Sequence, residues 1–150
     1  MFVAAAYGST DTMKSYDGIN WTASGAAPSA ASWASICWSP ELGMFVAIAD
    51  ALTDTMKSYD GINWTASGAA PSAAGWVSVC WSAELRMFVA ISTSSTATMK
   101  SYDGINWTAS GVAPSAVNWQ SVCWSPELGM FVAAAYGSTD TMRSISLKEF

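Results

Sequence analysis

The stretch TMKSYDGINWTASG runs from Thr55 to Gly68 and occurs unchanged twice more, from Thr12 and from Thr98. A second motif, Met-Phe-Val-Ala, begins at four positions that are 43 residues apart, namely Met1, Met44, Met87 and Met130. Identical stretches at a constant interval indicate a tandem repeat array. We therefore treat residues 1–150 as one array with repeats at 1–43, 44–86 and 87–129 and a partial repeat at 130–150.

Each repeat is predicted to form four short strands, named a to d. In the best-defined copy, strand a spans Trp33–Ser39, strand b Met44–Ile48, strand c Thr55–Tyr59 and strand d Ile62–Thr65. Asp-Gly between two strand-forming runs is a strong hairpin signal, and it separates strands c and d. Gly, Ser and Pro interrupt every segment, so no helix is expected. Four antiparallel strands in 43 residues match one blade of an all-β propeller.

The chain holds about three and a half such blades, and the predicted strands run bcd, abcd, abcd, abc. Propellers have about four to eight blades, so three complete blades do not close a ring. One solution is a monomeric ring of four blades, two of them three-stranded. The other is a homo-oligomer in which a terminal strand of one chain completes a blade of the next by strand exchange. We predict the homo-oligomer, as a dimer of six to eight blades.

The motif Ser-Tyr-Asp-Gly-Ile-Asn-Trp-Thr, from Ser15, Ser58 and Ser101, resembles the Asp-box of sialidase-type (BNR) propellers, with one residue fewer between its Asp and its Trp. The segment WSPELGMFVA, from Trp38 and from Trp124, resembles the passage from strand a to strand b in bacterial and phage repeat proteins of that kind. The resemblance covers nearly the whole chain. It implies that the Asp side chains accept hydrogen bonds from the turn and that the Trp side chains pack inward: Asp17, Asp60, Asp103, Trp21, Trp64 and Trp107.

Composition excludes several classes of protein. The net charge is −5, and the six Lys and Arg residues are spread along the chain, so we expect no nucleic-acid partner. No apolar run reaches 18 residues, and the start of the chain recurs at Met130, so we expect neither membrane insertion nor a signal peptide. Cys37, Cys80 and Cys123 are interpreted as small buried hydrophobic residues. With no histidine and no metal-site spacing, we predict no metal and no cofactor.

The sequence is predicted not to be an enzyme. Two arginines, Arg86 and Arg143, stand at unrelated repeat positions, whereas a sialidase needs an arginine cluster. The absence of histidine excludes a Ser-His-Asp arrangement. Glu41, Glu84 and Glu127 recur at one blade position, and such symmetry does not create an acid and a base in different environments.

Two functions remain open. The first is a structural, assembly or binding scaffold, for example at a virion or cell surface. The alternative is a multivalent carbohydrate-binding propeller with equivalent shallow sites between blades. A lectin of this kind should expose an aromatic side chain in each repeat, whereas an assembly protein should bury them. The candidate ligand-binding residues are Trp33, Trp76, Trp119, Asn20, Asn63 and Asn106.

Overall fold

The computed structural model describes residues 1–144, which form four antiparallel β-sheets. The prediction of an all-β chain built from blade-like units is confirmed, and residues 145–150 of the predicted partial repeat lie outside the described part. The strands are, in sheet 1, β1 Phe2–Ala5, β2 Thr12–Ser15 and β3 Thr22–Ala23; in sheet 2, β4 Trp33–Ser39, β5 Met44–Ala49, β6 Thr55–Ser58 and β7 Thr65–Ala66; in sheet 3, β8 Gly75–Ser82, β9 Met87–Thr93, β10 Ala97–Ser101 and β11 Thr108–Val112; in sheet 4, β12 Trp119–Ser125, β13 Met130–Ala135 and β14 Thr141–Arg143.

Each sheet is a meander in which neighbouring strands are also consecutive in the chain. Strands a, b and c lie close to their predicted bounds. Strand d is shorter and starts later than predicted: β7 covers Thr65–Ala66, whereas Ile62–Thr65 was expected. The reason is that the turn after Ser58 is longer than a two-residue hairpin, because Asp60 binds the backbone of Ile62 and Asn63 and keeps them out of the strand.

The sheets pack face to face, and each face has a fixed composition. We call the face that points to the preceding sheet the front face and the opposite one the back face. In sheet 2 the front face carries Phe45, Met56 and Trp64, which pack on Val3 and Ala5 of sheet 1. The back face of the same sheet carries the residues that pack on sheet 3, namely Met44, Val46 and Ile48. Strand alternation separates these two sets, since successive side chains point to opposite faces.

Packing proceeds in chain order, and the first strands of successive sheets contact one another directly, β4 with β8 and β8 with β12. Among residues 1–144, the substantial contacts between sheets join consecutive sheets only. As a result, the front face of sheet 1 is open: Phe2 is 56% exposed, whereas its counterpart Phe45 in sheet 2 is 8% exposed. The four sheets therefore form an arc and not a closed ring.

The cysteines follow the same pattern of burial. All three are free thiols, and Cys37 and Cys80 are partly buried between consecutive sheets. Burial raises the pKa of Cys37 to about 12. Cys123, expected to be buried, is exposed, because no sheet in the described chain covers the back face of sheet 4. No helix among residues 1–144 is long and apolar enough to cross a membrane.

Candidate functional site

The turn between strands c and d has the same geometry in sheets 1, 2 and 3. In sheet 2, Asp60 Oδ1 accepts hydrogen bonds from the backbone N–H of Ile62 at 2.8 Å and of Asn63 at 2.7 Å. Asn63 Nδ2 donates to Asp60 Oδ2 at 2.7 Å, and Ser58 Oγ donates to Oδ1 at 3.0 Å. The carboxylate therefore organises the turn from within and has little capacity left for a ligand.

These hydrogen bonds stabilise the ionised carboxylates. The backbone and side chain of Asn20 hold the pKa of Asp17 well below its usual range, and the backbone N–H of Asn63 does the same for Asp60. At Asp103 burial raises the pKa, but the hydrogen bonds from Asn106, Ile105 and Ser101 outweigh it and bring the pKa to about 2. The three aspartates are therefore charged at neutral pH.

The Trp residues of the c–d turns differ in burial from sheet to sheet. Trp64 and Trp107 are each 7% exposed and are packed between consecutive sheets, near Phe45 and Phe88 respectively. Trp21 is 42% exposed, because it belongs to the open front face of sheet 1. The position is therefore a packing position wherever a preceding sheet is present.

The predicted binding residues do not come together. Trp33, Trp76 and Trp119 are at most 4% exposed, and their indole N–H groups donate to the carbonyls of Ser29, Ser72 and Ser115 at 3.1, 2.9 and 3.0 Å. They open strand a, at the end of the sheet where strands b and c are connected. The predicted Asn side chains lie at the opposite end, in the c–d turns, where each donates to an Asp: Asn20, Asn63 and Asn106. One ligand of monosaccharide size therefore does not touch both sets.

A small crevice lies beside one of these buried indoles. It measures about 170 Å³ and is lined by Ser29, Trp33, Thr53, Asp54 and Ser67. Ser29 Oγ donates to Asp54 Oδ2 at 2.9 Å, and Ser115 makes the same bond to Asp140 at 3.2 Å in sheet 4. The crevice thus offers hydroxyl and carboxylate groups beside the edge of an indole.

Two sets of repeated contacts were not predicted from the sequence. The recurring glutamates bind the next sheet: Trp81 Nε1 donates to Glu41 and Trp124 Nε1 donates to Glu84, both at 2.6 Å. Any two recurring positions of a 43-residue repeat have a constant separation, so the sequence carried no signal for this pair. The second set is a row of exposed Tyr side chains under Lys amines at 5.5 to 6.0 Å from the ring centroids: Tyr16, Tyr59 and Tyr102 with Lys14, Lys57 and Lys100.

The front face of sheet 1 exposes several large apolar side chains together. Phe2, Met13 and Trp21 are 56, 44 and 42% exposed, and a groove of about 400 Å³ runs along strands β1 to β3. Contiguous apolar exposure of this kind on a soluble protein marks an interaction surface. Among residues 1–144 no group of three or more His, Cys, Asp or Glu side chains is placed to hold a metal.

Comparison with solved structures shows that the chain shares the β-propeller fold. Virginiamycin B lyase from Staphylococcus aureus matches 90% of this chain with a TM-score of 0.64 and 6% identity. A protein of unknown function from Bacteroides thetaiotaomicron matches 97% with a TM-score of 0.65 and 11% identity. YCF48, solved with a D1 peptide, matches 90% with a TM-score of 0.58 and 15% identity. No protein-family model and no curated protein sequence matches the chain.

This chain spans less than half of each of these proteins, covering 48, 40 and 43% of their lengths. An arc of four sheets is thus a partial propeller. The prediction that the chain is not an enzyme was wrong as an inference, because a protein with the same fold is a lyase.

Proposed function

We propose that this chain is a self-associating propeller scaffold, in which a second copy covers the open front face of sheet 1. The observation that carries the proposal is that Phe2, Met13 and Trp21 repeat the front-face residues that sheets 2 and 3 bury. In sheets 2 and 3, these front-face positions are covered by apolar residues of the preceding sheet. Because this chain itself contains the apolar residues that cover a front face, a second copy can supply them to sheet 1.

The free energy of burial also favours self-association. A large aromatic side chain buries about 150–250 Å², and each Å² of apolar surface removed from water contributes about 25 cal/mol. Covering one Phe, one Met and one Trp that are each about half exposed therefore contributes several kcal/mol. The hydrogen-bonded c–d turns support the proposed relation to Asp-box propellers, where this turn is a folding element. A rigid ring that presents repeated surfaces suits an assembly or recognition role at a virion or cell surface.

The variant Phe2→Asp tests the proposal, because it places a charge in the centre of the open front face. We expect it to lower the native mass measured by light scattering on a sizing column, relative to the unaltered chain. Leu52→Asp is the matched control, since Leu52 is 41% exposed but lies in a loop outside the front face. An unchanged mass for Phe2→Asp, with its fold intact by circular dichroism, would contradict the proposed surface.

Glycan binding is the second candidate, and the crevice beside Trp33 is the observation that favours it. Its Ser29 and Asp54 side chains can exchange hydrogen bonds with sugar hydroxyls, and the carboxylate gives a strong acceptor. A panel of monosaccharides titrated by NMR should shift the Trp33 indole N–H resonance, and Asp54→Asn should weaken that response. Asp11→Asn is the control, because Asp11 occupies the same position in sheet 1, where its carboxylate accepts from Ser9. If no monosaccharide of the panel shifts the Trp33 indole N–H resonance, this candidate is excluded.

A further inference from the structure

A mainly apolar groove of about 320 Å³ lies between sheets 3 and 4. Met87, Val89 and Ile91 from the back face of sheet 3 form one wall, and Phe131 and Met142 from sheet 4 form the other. Ser110 and Gly111 of β11 close its outer end. The corresponding space between sheets 2 and 3 shows which structural element fills such a groove.

Between sheets 2 and 3 that place contains the c–d turn of sheet 3. A Cβ on Gly104 would lie 2.5 Å from Met44 Cε and 2.7 Å from Val46 Cγ2, which shows how tightly the turn is seated. Ser67 Oγ donates to the Gly104 carbonyl at 2.9 Å, and Trp107 is buried in the same cluster. The turn of sheet 2 packs in the same way, with Gly61 close to side chains of sheet 1.

The chain's own continuation after sheet 4 has a different sequence. Ser146 and Leu147 stand 43 residues after Asp103 and Gly104, so the carboxylate and the glycine of the turn are both replaced. In the turn of sheet 3 glycine is required, because Gly104 has φ of 69° and a side chain would meet Met44 and Val46. The turn Ser15–Trp21 of sheet 1 has the complete sequence, and no sheet of the described chain packs against it. Its Ile19 is 82% exposed.

The first two strands of sheet 1 have nearly the same sequence as the outer two strands of sheet 4. Residues 1–13 and 130–142 are identical, so β1 of a second copy can pair with β12 as β13 does. β2 then lies beside β1 as β14 lies beside β13, with Lys14 in place of Arg143. The equivalent loops of sheets 2 and 3 differ from both and from each other. Replacement of a strand by an identical strand of another copy is an accessible route to dimers. The pairing of β12 is kept in this replacement, and β13 and β14 of that copy are displaced from the blade.

Trp38 provides a second, independent observation. It is 41% exposed, whereas Trp81 is 8% exposed and is covered by the preceding strand a and by Glu41 of the following turn. Sheet 1 has no strand a, so nothing comparable precedes Trp38 in the described chain. If β12 of a second copy lay along β1, its Glu127 would lie against Trp38 as Glu41 lies against Trp81.

We propose, resting on the self-association above, that β12 of one copy and β1–β3 of another form a hybrid blade. β1 and β2 take the places of β13 and β14, so Phe2 and Met13 form the wall that Phe131 and Met142 form in a single chain, and Trp21 fills the groove against sheet 3. Each copy then contributes two complete blades and shares two hybrid ones. Two copies close into a ring of six four-stranded blades, which is within the usual range of about four to eight.

Gly111→Ala tests this arrangement on the full chain. Where two sheets are in contact, a Cβ on Gly68 would lie 1.8 Å from the Ile105 carbonyl oxygen, and one on Gly25 would lie 2.1 Å from that of Ile62. No residue of the described part of the chain lies within 4 Å of a Cβ on Gly111, so an alanine fits there among residues 1–144. In the hybrid blade the carbonyl of Ile19 from the second copy takes that position. We therefore expect a dissociation constant raised about tenfold or more, with unchanged thermal stability at concentrations where the chain is monomeric.

Thr108→Ala, an exposed change on the same strand, is the control and should leave the dissociation constant unaltered. A Gly111→Ala protein that dimerises as well as the unaltered chain overturns the hybrid blade but leaves the proposed self-association standing. An unaltered chain that is monomeric overturns both. A photoreactive residue at Ile19 locates the contact: cross-links to β11 of an isotopically distinct copy support the hybrid blade, and cross-links to β13 instead show sheets stacked without exchange.

Discussion

Single residues decide the geometry of the turns between strands c and d. Asp17, Asp60 and Asp103 each accept two backbone hydrogen bonds and one from an Asn side chain. Ionised acceptors form stronger hydrogen bonds than neutral ones, so the charge itself contributes to the fold. The charge-dependent part of this stabilisation has a definite pH range.

The stability of the chain should fall as the pH decreases from about 4 towards about 2. The pKa of Asp103 is about 2 in the folded chain, compared with about 3.9 for an unperturbed Asp. A lowered folded-state pKa stabilises the fold above the unfolded-state pKa, and this contribution is lost as the pH falls through the folded-state value. Urea unfolding midpoints measured between about pH 5 and pH 2 should therefore decline less steeply for Asp103→Asn than for the unaltered chain.

The decline should be reduced and not abolished, because Asp17 and Asp60 retain lowered pKa values in that variant. Asp11→Asn, outside the c–d turns, serves as the control. Equal pH slopes for the unaltered chain and Asp103→Asn would show that the carboxylate does not act through its charge.

At the same scale, sequence reasoning identified the turn residues but not the environment of the indoles. The motif placed Asp60 and Trp64 in one turn, since turn chemistry is local. Burial depends on which sheet lies opposite, and identical residues therefore differ: Trp21 is 42% exposed and Trp64 is 7% exposed. No pattern within one repeat encodes that difference.

At the scale of strands, alternation and repeat spacing were sufficient for strands a, b and c. Strand d was placed too early, because the carboxylate of Asp60 captures the N–H groups of Ile62 and Asn63 that a two-residue hairpin would leave to the strand. The bulge after Trp33 in β4 also has no local signal, since it depends on the pairing with β5. Strand propensity includes neither hydrogen bonds from the backbone to a side chain nor the register between paired strands.

Contacts between strand d of one sheet and the turn of the next should be sensitive to the smallest added volume. Gly68→Ala places a methyl group 1.8 Å from the Ile105 carbonyl, so β7 or the following turn must move. We expect a loss of about 1–3 kcal/mol, the usual cost of overpacking, in chemical unfolding. The same change at Gly111 should cost nothing in the isolated chain, and equal losses at both positions would contradict the packing described.

At the scale of the whole molecule, the repeat length predicted the propeller fold, but the arc is a finding of the structure. Closure depends on surfaces that are far apart in the sequence, and the 43-residue period is compatible with any number of blades. The open front face of sheet 1, the exposed Trp38 and the groove between sheets 3 and 4 all lie where a repeat would continue. One second copy accounts for all three.

The native mass in solution, measured by light scattering on a sizing column over a range of concentrations, tests this account most directly. The account predicts twice the 15.8 kDa of one chain, because two arcs close the ring. A mass of one chain at every concentration would contradict it, since the front face of sheet 1 would then remain exposed.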